Sequence, residues 1–251
     1  MPASRPPAWY LVSLRGQGEH EALRRAAARH GAGLLPLSPW RIQLRKDDAS
    51  ARSLDHALQA PVVVFTSPAA VRAAATLRAL APRAGQQWLA VGAGTAAALR
   101  RAGVAQVQAP ERMDSEGLLA MPALAAAARV GLVTAPGGRG VLAPTLAGRG
   151  SQVDRADVYE RAPVRLAASV LARLEALDAP AALALSSEQA LRLVLEQLPE
   201  AAATRLRQAT AIAASARLGQ LAGDLGWTRI VVAGSPRPAA LAQAAALATK
   251  V

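Results

Sequence analysis

The chain has 251 residues, room for one large domain or two of about 120 residues each. Hydrophobic residues make up 52% and aromatics 3%, so a sizeable core can form, built from Leu, Val and Ala at close helix–sheet contacts, and whole-chain disorder is excluded. Cysteine is absent, which excludes disulfides, zinc–thiolate sites, iron–sulfur clusters and a cysteine nucleophile.

There are 29 Lys+Arg against 17 Asp+Glu, a formal net charge of +12. That balance suits an acidic partner: nucleic acid, an anionic membrane or a polyanionic small molecule. A codon bias toward Arg and Ala would produce the same charge. The basic residues form no single run, which speaks against a nucleic-acid stripe. His20, His30 and His56 have no metal-ligand spacing and lie in polar, Arg-rich contexts, so all three are expected on the solvated surface. MPASRPPAWYLVSLRG at the start offers no apolar leader core, and no apolar run approaches the ~20 residues of a membrane span. A cytoplasmic protein is expected.

In chain order, apolar runs predict strands at Trp9–Leu14, Val62–Thr66, Trp88–Val91, Val104–Val107, Val130–Thr134, Ala182–Leu185, Thr210–Ala213 and Arg229–Ala233. Helices of ten or more residues are expected between most of them. The runs are continuously apolar rather than alternating, which suits parallel sheets covered on both faces. Strand, small turn, amphipathic helix and glycine then repeat as α/β units with right-handed crossovers.

The chain is written twice. VVVFTSPAAVRAAATLRAL parallels ALALSSEQALRLVLEQL, with Ser67 and Ser187 120 positions apart; WLAVGAGTAAALRRAG parallels ATAIAASARLGQLAGDLG; and Leu11 lies 121 positions before Leu132. Two stretches break the rhythm at equivalent points, LLPLSPWRIQLR (34–45) and VDRADVYERAPVR (153–165). Extended, polar and proline-marked, they read as paired linkers. If the chain crosses at both, one domain is inserted (46–154) and the other discontinuous (1–35 and 165–251). A plain tandem with a boundary near 122–129 also fits the pattern.

Ligands of open parallel sheets bind beyond the carboxyl ends of the strands, where helix N-termini present free N–H groups. The turns there are Thr66-Ser67-Pro68, Gly92-Ala93-Gly94-Thr95, Gly137-Gly138-Arg139, Ser186-Ser187 and Ser215-Ala216-Arg217. Each can equally be a helix start, since Ser and Thr are preferred caps and Pro suits the first turn. Gly92, Gly94 and Ala97 fit GxGxxA after a strand, with Glu111 about twenty residues on, the dinucleotide fingerprint. That copy sits in mid-domain, however, and its partner Ala213-Ala214-Ser215-Ala216 has lost both glycines. No nucleophile elbow, Walker lysine or carboxylate cluster appears, and Lys46 and Lys250 lie outside apolar contexts. An enzyme built this way would work by positioning its substrate and stabilising charge.

The ordered set FTSPAAV, AVGAGTAAAL, DSEGLL, GGRGVLAPTLAGRGSQV and VYERAP, running from Leu11 to AGSPRPAALAQAAA, resembles the uroporphyrinogen-III synthase family. The resemblance implies two α/β domains with parallel sheets flanked by helices and joined by a two-stranded linker ladder. The first domain is then discontinuous (1–35 and 165–251), the second inserted (46–154), and the linkers 36–45 and 155–164. It implies conversion of hydroxymethylbilane to uroporphyrinogen III with loss of water and inversion of the last pyrrole ring. No metal or organic cofactor is implied, and the protein is expected to be a monomer acting on a polycarboxylate tetrapyrrole, without nucleic acid or membrane.

Tyr159 matches the tyrosine that the family places by its cleft, as hydrogen-bond or proton donor to the departing hydroxyl; interdomain packing is its other reading. Thr66, Ser67, Gly94, Thr95, Ser187 and Ser215 match cleft-facing turns. Arg15, Arg139 and Arg217 are candidate carboxylate partners. The second half departs from the family pattern: a serine–proline turn is Ser187-Glu188 here, and a glycine–threonine turn is Ala213 to Arg217. Glu188 would sit poorly beside a carboxylate-rich ligand unless it points away, and Arg217 could restore the charge. The competing readings are a non-catalytic two-domain binder of small anions and a nicotinamide-dependent enzyme.

Overall fold

The structure, a computed structural model, describes residues 7–137 and 140–249. The chain begins with β1 (Trp9–Ser13), α1 (Glu21–Ala28), β2 (Ala32–Pro36) and β3 (Trp40–Leu44). It continues through α2 (Asp48–Leu58), β4 (Val62–Phe65), α3 (Pro68–Leu77), β5 (Gln87–Ala90), α4 (Ala93–Arg101), α5 (Ser115–Leu119) and α6 (Pro122–Ala125). Then come β6 (Arg129–Thr134), α7 (Leu142–Gly148), β7 (Gln152–Asp157) and β8 (Tyr159–Pro163). The last stretch is α8 (Ala168–Glu175), β9 (Ala181–Leu185), α9 (Glu188–Leu195), α10 (Glu200–Arg207), β10 (Thr210–Ala213), α11 (Ala216–Asp224), β11 (Ile230–Val232) and α12 (Pro238–Ala248).

Two compact units result: residues 1–41 with 162–251, and residues 42–161. The first holds a parallel sheet ordered β11-β10-β9-β1-β2, the second a parallel sheet ordered β5-β4-β6-β7. The chain passes from one unit to the other through β3 and back through β8, and these strands pair with each other. The sequence repeat maps onto this order: β10-β9-β1-β2 in one unit corresponds to β5-β4-β6-β7 in the other. Each sheet therefore joins the front of one repeat to the back of the other.

The alternation of a strand's two faces accounts for the core of the second unit. Val63 and Phe65 of β4 pack with Leu54, Ala57, Trp88 and the alanines of α3, and the Phe65 and Trp88 rings stack at 5.4 Å. Val62 and Val64 face the other way, onto Leu118, Leu124, Leu132 and Leu146. Every residue of β4 is buried, so both faces are covered and the run must be apolar throughout. The first unit has one continuous core around Leu11, Val12, Leu183, Leu185 and Ile212, closed by Leu241 and Ala245 of α12.

Several expectations need correction. Val104–Val107 is not a strand; the segment ends in a single parallel bridge, Leu89 to Gln108. It follows Gly103 in the left-handed region and runs into Pro110, which leaves too little extended chain for a ladder. The linker reading of 34–45 and 153–165 missed β2 and β7, the outer strands of the two sheets. Pro36 and the polar Asp154 and Arg155 suggested linkers, yet an edge strand tolerates both a terminal proline and an alternating polar face. Among the described residues, only α2, α3 and α12 of the helices flanking the sheets reach ten residues. A four-residue strand is only about 13 Å long, a span that about nine helical residues cover.

Gly131 of β6 marks a close helix–sheet approach. A Cβ there would overlap the Ala57 carbonyl at the end of α2, so the strand needs glycine although its φ is ordinary. Gly131→Ala should destabilise the protein by about 2–3 kcal/mol through overpacking, measured as a lowered urea midpoint with an unchanged slope.

Candidate functional site

In the second unit a pocket of about 180 Å³ opens at the carboxyl ends of β4 and β6. Thr66 and Ser67 line it from the end of β4, and Thr134, Ala135, Pro136 and Gly137 from the end of β6. The Thr66 hydroxyl donates to Thr134 Oγ1 at 2.8 Å, tying these strand ends together. Arg155, Tyr159 and Arg161 close another side, and Ser115 at the start of α5 also reaches the pocket. Arg155 Nη2 donates to the Ala135 carbonyl at 3.2 Å and to Asp157 Oδ1 at 3.0 Å, which holds its guanidinium at the wall.

Tyr159 is 3% exposed and packed among core residues, but its hydroxyl is not wrapped in apolar surface. It lies 3.0 Å from Ser67 Oγ. Ser67 caps α3, its oxygen accepting the Ala70 N–H at 3.0 Å. With that acceptor role filled by a backbone donor, the Ser67 O–H can donate to the phenol oxygen. The phenol proton is then available to a group in the pocket. The ring is thus anchored in the core of the second unit, and the residue lines the pocket.

Ser115 belongs to the DSEGLL turn, whose composition has a local cause. Asp114 caps α5 by accepting the Gly117 N–H at 2.8 Å, and a Cβ at Gly117 would overlap the Arg112 carbonyl.

The first unit presents its own row of turns at the carboxyl edge. Ser187 caps α9 through the Ala190 N–H, and Ser215 caps α11 through the Leu218 N–H. Their strands, β9 and β10, are neighbours, so the two helices start side by side. Glu188 is bound there by two arginines, Arg217 Nη1 at 2.6 Å and Arg192 Nε at 3.0 Å. Both hold its carboxyl below the usual range, Arg217 most strongly. Beyond β1, Arg15 Nη2 donates to the Pro236 carbonyl at 3.4 Å, and burial pulls its pKa down against the opposing pull of Glu19.

Of the residues expected at the site, the structure brings Thr66, Ser67 and Tyr159 into one pocket, and Ser187, Ser215 and Arg217 to one edge of the first unit. Gly94 is exposed after β5 and lines none of that pocket. Thr95 departs from expectation: it is 2% exposed and its N–H is spent on the Gly92 carbonyl, so it supports the turn from beneath. Arg139 and Gly138 lie outside the described residues, as does Lys250. Neither Gly92 nor Gly94 is in the left-handed region that would demand glycine. Thr134, Ser115, Arg155 and Arg161 were not singled out from sequence. The alternation Arg155, Asp157, Tyr159, Arg161 was the available signal, hidden by treating this stretch as a linker.

His20 also overturns its surface assignment. It is 8% exposed, between Ser13 Oγ at 2.9 Å and Ser38 Oγ at 2.7 Å, and joins the β1 turn to the loop before β3. His30 and His56 are exposed, as expected. Among the described residues no group of three His, Cys, Asp or Glu could hold a metal ion, and no helix is long and apolar enough to cross a membrane.

Parallel sheets with polar turns at their carboxyl edges, one of them carrying a tyrosine–serine pair, define an α/β protein with a polar rim. A family model described as uroporphyrinogen-III synthase HemD matches residues 21–243. The chain belongs to the uroporphyrinogen-III synthase family, lyases of tetrapyrrole biosynthesis. Its fold is similar to that of solved uroporphyrinogen-III synthases. The Helicobacter pylori structure is 16% identical with a TM-score of 0.61, covering 93% of this chain and 96% of that one. A selenomethionine mutant from the extremely thermophilic bacterium Thermus thermophilus is 20% identical with a TM-score of 0.60, covering 95% and 98%.

Burial, reinforced by the charges of Arg24 and Arg15, lowers the His20 pKa to about 4. The unfolded chain therefore takes up a proton near pH 6.5 that the folded chain refuses until about pH 4. The stability this group contributes is complete above pH 6.5 and declines as pH falls toward 4. Between pH 7.5 and 4.5 wild type should lose about 2 kcal/mol more than His20→Asn, after discounting for partial solvent access, in paired urea unfolding curves.

Proposed function

We propose that this chain closes hydroxymethylbilane into uroporphyrinogen III, with Tyr159 assisting departure of the hydroxyl and the strand-end turns holding substrate carboxylates. The observation that carries the residue assignment is the 3.0 Å contact between Tyr159 and Ser67 in a pocket walled by two arginines. Family membership supports the reaction itself.

In this reading the phenol donates toward the substrate hydroxyl, which leaves as water. The remaining azafulvene is electrophilic, and the substituted carbon of the last pyrrole attacks it. Cleavage and reclosure through the spiro intermediate leave that ring inverted. The net change is loss of one water, with no oxidation or reduction. Ser67 keeps the phenol oriented, and Arg155 and Arg161 offset the negative charge that the substrate brings into the pocket.

The pocket's size limits what it can hold. Sites for drug-sized ligands run about 300–1,000 Å³, so some 180 Å³ suits one end of the linear tetrapyrrole. Helix starts at strand carboxyl ends present backbone N–H donors of the kind that hold carboxylates. A small-molecule polycarboxylate also accounts for the basic charge without nucleic acid.

The protein supplied with enzymatically generated hydroxymethylbilane should yield the type III isomer after oxidation and separation; type I product alone would overturn the assignment. Tyr159→Phe removes one hydroxyl and should lower kcat about a hundredfold. Its melting temperature should drop by no more than loss of a single hydrogen bond implies, about 1 kcal/mol.

A further inference from the structure

The Arg192–Glu188–Arg217 cluster poses a problem that the reading above leaves open. An acidic residue at the rim of a site for a carboxylate-rich substrate should repel it. A helix N-terminus favours an acid in its first turn, and Glu188 with Arg192 makes an ordinary i,i+4 pair. Neither fact explains the second arginine. Arg217 comes from a different helix, 29 residues on, and makes the shorter contact, 2.6 Å against 3.0 Å.

Arg217 is a long side chain, 70% exposed. Left alone it would sample many rotamers, and ordering it on binding would cost affinity. Its bond to Glu188 engages Nη1, one end of a five-donor fork that suits carboxylates. Two arginines against one glutamate leave the cluster with a net positive charge.

We propose that Glu188 is a positioning residue that holds the Arg217 guanidinium at the adjoining starts of α9 and α11 as a binding group for one substrate carboxylate. The inference rests on the reaction proposed above and names a residue that this reaction alone would mark as unfavourable. The glutamate is tolerated because its own charge is already neutralised within the cluster, while the order it imposes on Arg217 remains useful.

The sign of one mutation separates this from simple charge arithmetic. Removing a negative charge with Glu188→Gln should tighten binding of an anion if Glu188 only repels, and weaken it if Glu188 positions Arg217. Steady-state kinetics on hydroxymethylbilane and fluorescence titration with uroporphyrin I, an octacarboxylate, would be run on Glu188→Gln, Arg217→Gln and the double variant. Arg217→Gln should raise KM and the porphyrin Kd about tenfold, the loss expected for one charge-assisted hydrogen bond. Glu188→Gln should raise both by roughly three- to tenfold on the same scale, with kcat changed less than about twofold. The double variant should be no worse than Arg217→Gln.

Unchanged or lowered KM and Kd in Glu188→Gln would overturn the proposal, as would fully additive effects. If Glu188→Gln fails to fold, Arg217→Lys tests the same group, since it keeps the charge and loses the fork; unchanged Kd there would also overturn it. Wild-type protein that makes only type I product yet shows the expected porphyrin pattern would remove the lyase reading and leave the positioning role standing.

Discussion

Two strand pairings hold the rest of the structure in place: β1 against β9, and β6 against β4. Each joins a strand from one sequence repeat to a strand from the other, with Leu11 beside Ala182 and Leu132 beside Val64. Without them, neither repeat could complete a sheet of four or more strands. A parallel pair cannot be closed by a tight turn, so the chain must travel between its partners. The two passages through β3 and β8 follow from this exchange, as does the discontinuity of the first unit. The β1–β9 pairing spans a far longer stretch of chain than β4–β6. The second unit, being continuous, can therefore form its central contacts at lower loop-closure cost.

Parallel pairing also decides where chemistry can sit. All strand carboxyl ends in a sheet face one edge, and every following helix begins there. Ser67, Ser187 and Ser215 cap their helices at that edge, so each hydroxyl is oriented by a backbone N–H before any ligand arrives. Fixed donors of this kind need no reorganisation during a reaction. Tyr159 follows the same logic through a different element. It lies at the start of β8, its ring held by the core and its hydroxyl held by a serine that is itself held by a helix.

The apolar runs of the central strands were legible because burial on both faces leaves little compositional freedom, and the repeat was legible because its turns carry constrained residues. What escaped was set by partners distant in sequence. β2 and β7 are edge strands whose terminal Pro36 and polar Asp154 and Arg155 read as loop, and only the neighbouring strand makes them part of a sheet. Hidden with them was the strand alternation that brings Arg155 and Arg161 to the pocket of Tyr159. Thr95 looked like an exposed turn residue, but it falls within the first turn of α4 and is buried. His20 sits among polar neighbours in sequence, yet Ser13 and Ser38 fold around it. The serine turns themselves could be read as caps or as ligand contacts, and the two roles use the same geometry.

The turns at the carboxyl edges of the two sheets differ in character. One unit encloses a small pocket with a tyrosine, two threonines and two arginines; the other exposes an ion cluster at paired helix starts. A reaction that is mainly a matter of positioning makes different demands on its chemical step and on its binding contacts. Its chemical step needs one enclosed spot from which water can be limited, where a single hydrogen bond to the leaving group is strong because the surroundings are dry. Its substrate, with many carboxylates, needs several anchors that tolerate solvent. Exposed arginines held in place are adequate for that, because each need supply only a modest fraction of the binding. Glu188 and Arg217 stand where the first repeat has Pro68 and a glycine turn, and their charges suit an exposed edge, where water and the ion pairs together solvate them.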